Sequence, residues 1–333
     1  MREAGIILLC FELCPQRGIL FDRCALAFVA VDPGGFRHKG TRKVAEKPPE
    51  ANRFHGRSSV AGPIQKMFIL PRNEIPEAPD ALARAIEEGL RSFISRPEKM
   101  VAVGGGDASA LDSIAVDLSG ATIDHHHRPP PLDPSEAIPA MVVRHIYVSG
   151  EPISILGGDF GFQFEASNVE LYQKVQPEGK LLLIMYRAQD GNIRFEISRS
   201  AAESMIMKGA SKLAEKEGVV VDNAQLELTP RGPRALDGKL TVSAHKFIFH
   251  PALSLAGTFA VSDDLVATVS NLKCHGKGPI AALACAAITP SLSKIERRAF
   301  PLSALPLGEI QLRDLTIDAA NEKIVVRARF GSL

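Results

Sequence analysis

Tryptophan is absent and only 3 tyrosines occur in 333 residues, so the stacking platforms that bind single-stranded nucleic acid are missing. The formal net charge is +1, which gives no global field to draw in a polyanion. Nucleic acid is therefore not an expected partner. The 5 cysteines fall at 10, 14, 24, 274 and 285. An odd, uneven set is not a disulfide framework and points to a reducing compartment or to indifference to redox. Cys10, Cys14 and Cys24 lack a fourth ligand at zinc spacing, so neither a metal nor another cofactor is expected. Apolar runs are short of the ~20 residues that span a bilayer. The stretch from Gly18 to Val31 is interrupted by Asp22 and Arg23, and Gly5 to Cys10 is too brief. Neither shows the order of a secretory signal. A cytoplasmic or peripheral-membrane location follows as the expectation.

Catalytic signatures are equally sparse. There is no Gly-x-Ser-x-Gly elbow, and no His-Glu-x-x-His or Cys-x-x-Cys pair. Gly104-Gly105-Gly106 follows a strand-like run but lacks the Lys-Ser/Thr of a phosphate loop, and reads as a turn. Asp263-Asp264 sits between two strands and reads as a turn. Cys274 and His275 are adjacent, which on a strand sends them to opposite faces. His245 and His250 are scattered. Asp124 to Pro131 carries three histidines and three prolines, and reads as a solvated loop. A non-catalytic chain is expected.

Residues 1–66 are rich in Arg, Lys, Gly and Pro and hold no hydrophobic period. They are read as a disordered or spurious extension, with Met67 the natural start. Residues 67–99 form an amphipathic helical segment. Pro79 and Asp80 open a helix over 79–96, with Leu82, Ala85, Ile86, Leu90, Phe93 and Ile94 on one face. Core packing is the default for that face, and membrane contact the alternative.

From 141 onward the chain reads as strand, turn, strand. Phe160, Phe162 and Phe164 alternate with polar or small residues. Leu181 to Tyr186 runs into Asp190-Gly191, a hairpin signal. Ser200 and Glu203 have capping-box spacing, and Ala202, Met205, Ile206, Ala210 and Leu213 form the apolar stripe of a helix that Gly218 stops. Leu240, Val242 and Ala244 alternate, and then Phe247 and Phe249 take over, which predicts a bulge near His245. Leu255, Gly257, Phe259 and Val261 follow. A second helix over 279–298 places Ile280, Leu283, Ala284, Ala287 and Ile288 on one side, with Pro290 inside it.

Short turns between long strands imply antiparallel meanders. The expected class over 100–333 is α+β: one long, strongly curved antiparallel sheet wrapped on one or two long helices. The helix at 200–217 uses Met, Ala and Gly209, which leaves room against facing Phe and Leu. That room predicts an elongated apolar groove lined by Met205, Ile206, Leu213, Phe247, Phe249, Phe259 and Leu283. Lys208 and Lys212, or Lys294, Arg297 and Arg298, are the candidate contacts for an anionic head group.

Phe300 to Ile317, with Leu305-Pro306-Leu307-Gly308 leading into a strand, and Ile324 to Gly331 as the last strand, resemble the closing segment of the LmeA-like bacterial lipid-binding family. The preceding order of strand, helix, long strands and helix is similar to that family over about residues 100–333. The resemblance implies a tubular lipid-binding, TULIP-like fold, with acyl chains of a lipid or phospholipid in the groove and no catalytic residues. The family is exported, at odds with the lack of an export signal here. The expected function is non-catalytic lipid binding, with a role in lipid transfer or envelope maintenance. A membrane-surface scaffold acting through the helix at 79–96 is the alternative.

Overall fold

The computed structural model describes residues 66–106, 109–124, 137–215, 218–245, 250–302 and 309–332. The expectations for residues 1–65, for the histidine-proline loop at 125–131, and for Phe247 and Phe249 lie outside the described residues.

Strand occupies 59% and helix 20% of the structure, so the chain is mostly β. The strands are β1 Lys66–Leu70, β2 Ile94–Ser95, β3 Val101–Gly104, β4 Ala110–Asp117, β5 Ala121–Ile123, β6 Ile138–Ile155, β7 Gly158–Val175, β8 Leu181–Arg187, β9 Asp190–Ser198, β10 Val220–Gly232, β11 Ala235–His245, β12 Ala252–Val261, β13 Val266–Lys277, β14 Ala299–Pro301, β15 Ile310–Asp318 and β16 Lys323–Ser332. The helices are α1 Pro79–Arg91, α2 Arg199–Glu215 and α3 Pro279–Glu296.

The α+β expectation is corrected on three counts. The helices have 13, 17 and 18 residues, about 20–27 Å at 1.5 Å per residue, and are not long. Two sheets form, of 11 and 5 strands, instead of one. Pairing is not wholly antiparallel, since β6 pairs parallel with β4 and β5.

Two strands of 18 residues organise the larger sheet. β7 is long enough to serve two partners along one side. Phe160 to Ser167 pair with β9, and Glu170 to Val175 pair with β8. The exchange occurs at Asn168, whose φ is +46°, a conformation that Asn tolerates. The hairpin expected at Asp190-Gly191 is therefore not formed, because β8 and β9 lie end to end against β7. Gly191 has a different reason to be glycine: a Cβ there would stand 2.1 Å from the Phe330 ring, which stacks on Phe164 at 5.5 Å.

α1 packs in one core with the strands that follow it. Pro79 starts it, and it stops at Arg91 because Phe93 and Ile94 leave to pair Ile94 with Ile123. Leu82, Ala85, Ile86 and Leu90 are buried with Ile114, Val143, Ile146 and Leu183. Each large apolar side chain so buried contributes roughly 1.5–3 kcal/mol. The helix lies against β1 at Gly89, where a Cβ would be 1.6 Å from the Ile69 carbonyl oxygen. Arg96, 8% exposed, fixes the exit by pairing with Asp117 at 3.1 Å and Glu98 at 3.0 Å.

The five-stranded sheet runs β10-β11-β12-β13-β14. It joins the larger sheet through a second core, in which Leu236, Phe259, Val261, Ala267 and Val269 meet Leu315, Ile317 and Ala328. Arg234 bridges the junction. It donates to Asp314 at 2.6 Å, to Asp263 at 2.7 Å and to the Leu315 carbonyl at 3.1 Å.

Gly89→Ala should lower the unfolding free energy by roughly 1–3 kcal/mol, the usual cost of overpacking, read from the urea midpoint. An unchanged midpoint would contradict the backbone contact between α1 and β1.

Candidate functional site: an apolar trough on the five-stranded sheet

Alternation sorts the small sheet into two unlike faces. Register places Leu226 opposite Leu240, Leu240 opposite Leu255, and Val242 opposite Leu253. Leu255 is opposite Cys274, and Leu253 opposite Gly276. These residues share one apolar face. The other face carries Gln225, Thr241, Ser254 and His275 in equivalent register.

Both remaining helices lie on the apolar face. α2 rests on β10 and touches β7 and β9 of the larger sheet. Its Met205 and Ile206 pack against a buried cluster of Ile197, Ala202, Leu226 and Ile324, against which Leu228 and Leu240 also pack. Ser198 caps it: the Ser198 hydroxyl accepts from the Ala201 amide at 3.1 Å. Glu203 does not close the expected capping box. Its carboxylate accepts from the Leu226 amide at 2.7 Å and ties the helix to β10. Gly218, at φ +66°, ends the segment as expected. Gly158 admits the helix, because a Cβ there would be 2.5 Å from Met205 Cγ and 2.7 Å from the Ala201 carbonyl oxygen.

α3 rests on β13. Cys274 and Cys285 are joined as a disulfide, with Cα atoms 5.4 Å apart. That corrects the reading of these cysteines as unpaired and removes Cys274 as a nucleophile. Gly276 lets the first turn of α3 settle, since a Cβ would be 2.2 Å from the Ala281 carbonyl carbon. Bond and contact together set the helix rotation, and Ala281, Ala284 and Cys285 turn inward and are buried. Leu283 is consequently 51% exposed, not a lining residue.

Between the helices run β11 and β12. Here Leu240, Val242, Leu253 and Leu255 remain half-buried, on a face whose junction end is fully buried. Sequence alternation places all four on one face but carries no signal of how far the helices cover it. Of the residues predicted to line the groove, Met205 and Ile206 are half-buried on α2, with Met205 Cγ against Gly158 of the larger sheet. Phe259 is buried with Leu236 at the junction and closes one end. The Leu213 side chain, like Phe247 and Phe249, is outside the described residues.

The predicted head-group cations are not brought together. Lys208 and Lys212 are exposed on α2, with Lys208 Nζ over Gly157, 1.7 Å from where a Cβ would stand. Arg297 and Arg298 are exposed at the far end of α3. That end adjoins β14, which pairs with Val266 to Thr268 at the junction.

Surface depressions also occur away from these helices. One of about 380 Å³ lies against Met100, Ala102, Ala115 and Tyr147. One of about 500 Å³ lies at the Arg234 junction. Neither includes a residue of the trough. Asp263, considered as a catalytic carboxylate, accepts from Arg234 there. His245 Nδ1 is 2.6 Å from Asp222 Oδ1, and its ring centroid is 5.9 Å from that of His250. Among the described residues no group of three or more His, Cys, Asp or Glu is placed to hold a metal. No helix among them is long and apolar enough to cross a membrane.

No protein-family model matches this chain, the LmeA-like family included. No curated protein matches either. A solved structure described as the crystal structure of lipopolysaccharide binding protein is similar over 52% of this chain and 54% of that one. Its identity is 10% and its TM-score 0.22. The match thus spans about half the length of that protein, and a score so low carries no argument about fold or ligand.

The junction is electrostatically pinned. The Arg234 hydrogen bond holds the Asp314 carboxyl below the usual carboxylate range. Lys323 and then Arg194 do the same for Glu196. A carboxylate whose folded pKa is depressed stabilises the fold above its unfolded pKa of about 4 and loses that contribution as pH falls through the folded value. Thermal stability should therefore hold from pH 7 to about pH 5 and decline below about pH 4. Arg234→Ala should flatten that decline, as read from Tm against pH. An equally steep acid limb in the variant would contradict the assignment.

Proposed function

We propose that this protein is a non-catalytic lipid-binding protein that holds acyl chain in the trough between α2 and α3. One observation carries the reading: the apolar face of the small sheet is covered at its margins by two helices and stays half-exposed along β11 and β12. Leu240, Val242, Leu253 and Leu255 supply the floor, and Met205 and Ile206 part of one wall. Each methylene removed from water contributes roughly 0.8 kcal/mol, so a chain of a dozen carbons is bound firmly without any polar contact. Lys208 is exposed on the same helix, its Nζ over Gly157, and is the candidate partner for an anionic head group.

The scaffold reading, which used the apolar face of the helix at 79–96, finds no support. Leu82, Ala85, Ile86 and Leu90 are committed to the core, and that face has no surface left to offer a membrane. A transfer role, in which the same trough takes up and releases its occupant, remains part of the proposal.

Leu240→Glu and Leu253→Glu should each cut the lipid that copurifies with the protein by about tenfold or more, because a carboxylate against an acyl chain lacks its hydration. Val220→Glu, at an exposed position, is the control and should retain it. Organic extraction and mass spectrometry of the three proteins make the comparison. Equal lipid in all three would count against the trough as the binding site.

A further inference from the structure

We propose that the outward stripe of α3 docks this protein on an anionic lipid bilayer, with the helix lying in the plane of the head groups. The inference goes beyond the trough, because it concerns the side of α3 turned away from the small sheet.

A surface helix ordinarily carries charge on its solvent side. α3 does not over most of its length. From Pro279 to Ser293 there is no charged residue, and Lys294, Arg297 and Arg298 follow close behind. The side of α3 that meets β13 is marked by buried Ala281, Ala284 and Cys285. At 3.6 residues per turn, the opposite stripe runs through Leu283, Ala286, Ala287, Pro290, Lys294 and Arg297. All six are exposed, and Leu283 keeps 51% of its surface open. The stripe is thus apolar from Leu283 to Pro290 and cationic beyond it. Glu296 does not neutralise that end from the stripe. It is turned toward β13, where its carboxylate accepts from the Leu272 amide at 3.2 Å.

The pattern selects the occupant. Apolar side chains continued by Lys and Arg, with no acid on the same stripe, are complementary to a surface that offers acyl carbon beneath phosphate. The cations are a local feature, since the whole chain carries a formal charge of only +1. A protein partner would be held best through aromatic anchors, and the stripe has none. α3 lies on the bilayer and does not cross it, because no helix among the described residues is long and apolar enough to do so. Its depth is limited as well. Pro290 has no N–H to offer the Ala286 carbonyl, so that carbonyl needs water or a head-group donor and cannot enter the acyl layer.

The test floats the full chain with vesicles of phosphatidylcholine alone, and with vesicles in which phosphatidylglycerol replaces one-third of it. The protein should float with the anionic vesicles only, and release at about 1 M salt, where the Debye length is about 3 Å. Each cation near an anionic surface is worth about fivefold in partitioning. Lys294→Glu/Arg297→Glu should therefore cut the partition coefficient about thirtyfold or more. Lys99→Glu/Lys180→Glu, at exposed positions of the larger sheet's region and with the same change in net charge, is the control and should cut it far less. The chain contains no tryptophan, so Leu283→Trp supplies a single reporter. Its emission should shift to the blue with anionic vesicles, whereas that of Val220→Trp should not. Equal flotation with neutral vesicles, no flotation with either, equal losses in the two double variants, or an unshifted emission in Leu283→Trp would overturn the proposal. A dimer in solution that Leu283→Asp disperses, without vesicle binding, would give the stripe to a second copy of the chain and overturn it too. Should a variant lose its cooperative thermal transition, the dependence of the unmodified protein on anionic lipid and salt decides the question. Lipid held in the trough is read separately by extraction, so none of these outcomes settles that reading.

Discussion

The structure turns on a mismatch of widths. α2 rests on β10 and α3 on β13, strands three spacings or about 14 Å apart in the five-stranded sheet, so each helix covers one margin of the apolar face. Had α2 and α3 moved together to the contact distance of 8–10 Å, each would have left its own strand. Local devices prevent that. Cys274, Gly276 and Ala281 fix α3 to β13, and Glu203 and Gly158 fix α2 between β10 and the larger sheet. The half-exposed leucines of β11 and β12 are the consequence, and function is argued from them.

The larger sheet plays a supporting part. Its β1 to β9 region packs α1 into its own core. Through β15 and β16 it closes one end of the small sheet's face, and through β7 and β9 it backs α2. The same residues that join the two sheets thereby define where the trough stops. Arg234, which donates to Asp314 and Leu315 across the junction and to Asp263 in its own sheet, holds that end in place.

Much of this was legible in the sequence, because periodicity is a local property. The strands from 141 onward and the helices at 200–217 and 279–298 are announced by alternation, Gly218 and Pro279, and the structure places them within a few residues. What was not legible is long-range. Nothing local says that β7 serves β9 and β8 in succession, so Asp190-Gly191 read as a hairpin when Gly191 was needed by the Phe330 ring. Nothing local says that Cys274 and Cys285 face each other. Without that bond the rotation of α3 was misjudged and Leu283 was assigned to a wall it does not form. Met205 and Ile206 could be assigned to the inward face of their helix because a helix stripe is a local pattern. Leu240 and Leu253 were passed over because an alternating strand does not reveal how completely its face is covered.

A crystal structure of the protein purified without detergent tests the central claim most directly, through the distance between the axes of α2 and α3 and the density between them. The account requires α2 and α3 to stand apart on β10 and β13, beyond the helix contact distance of 8–10 Å, with elongated density over Leu240, Val242, Leu253 and Leu255. Helices at 8–10 Å with interlocked side chains and those four residues buried beneath them would contradict it.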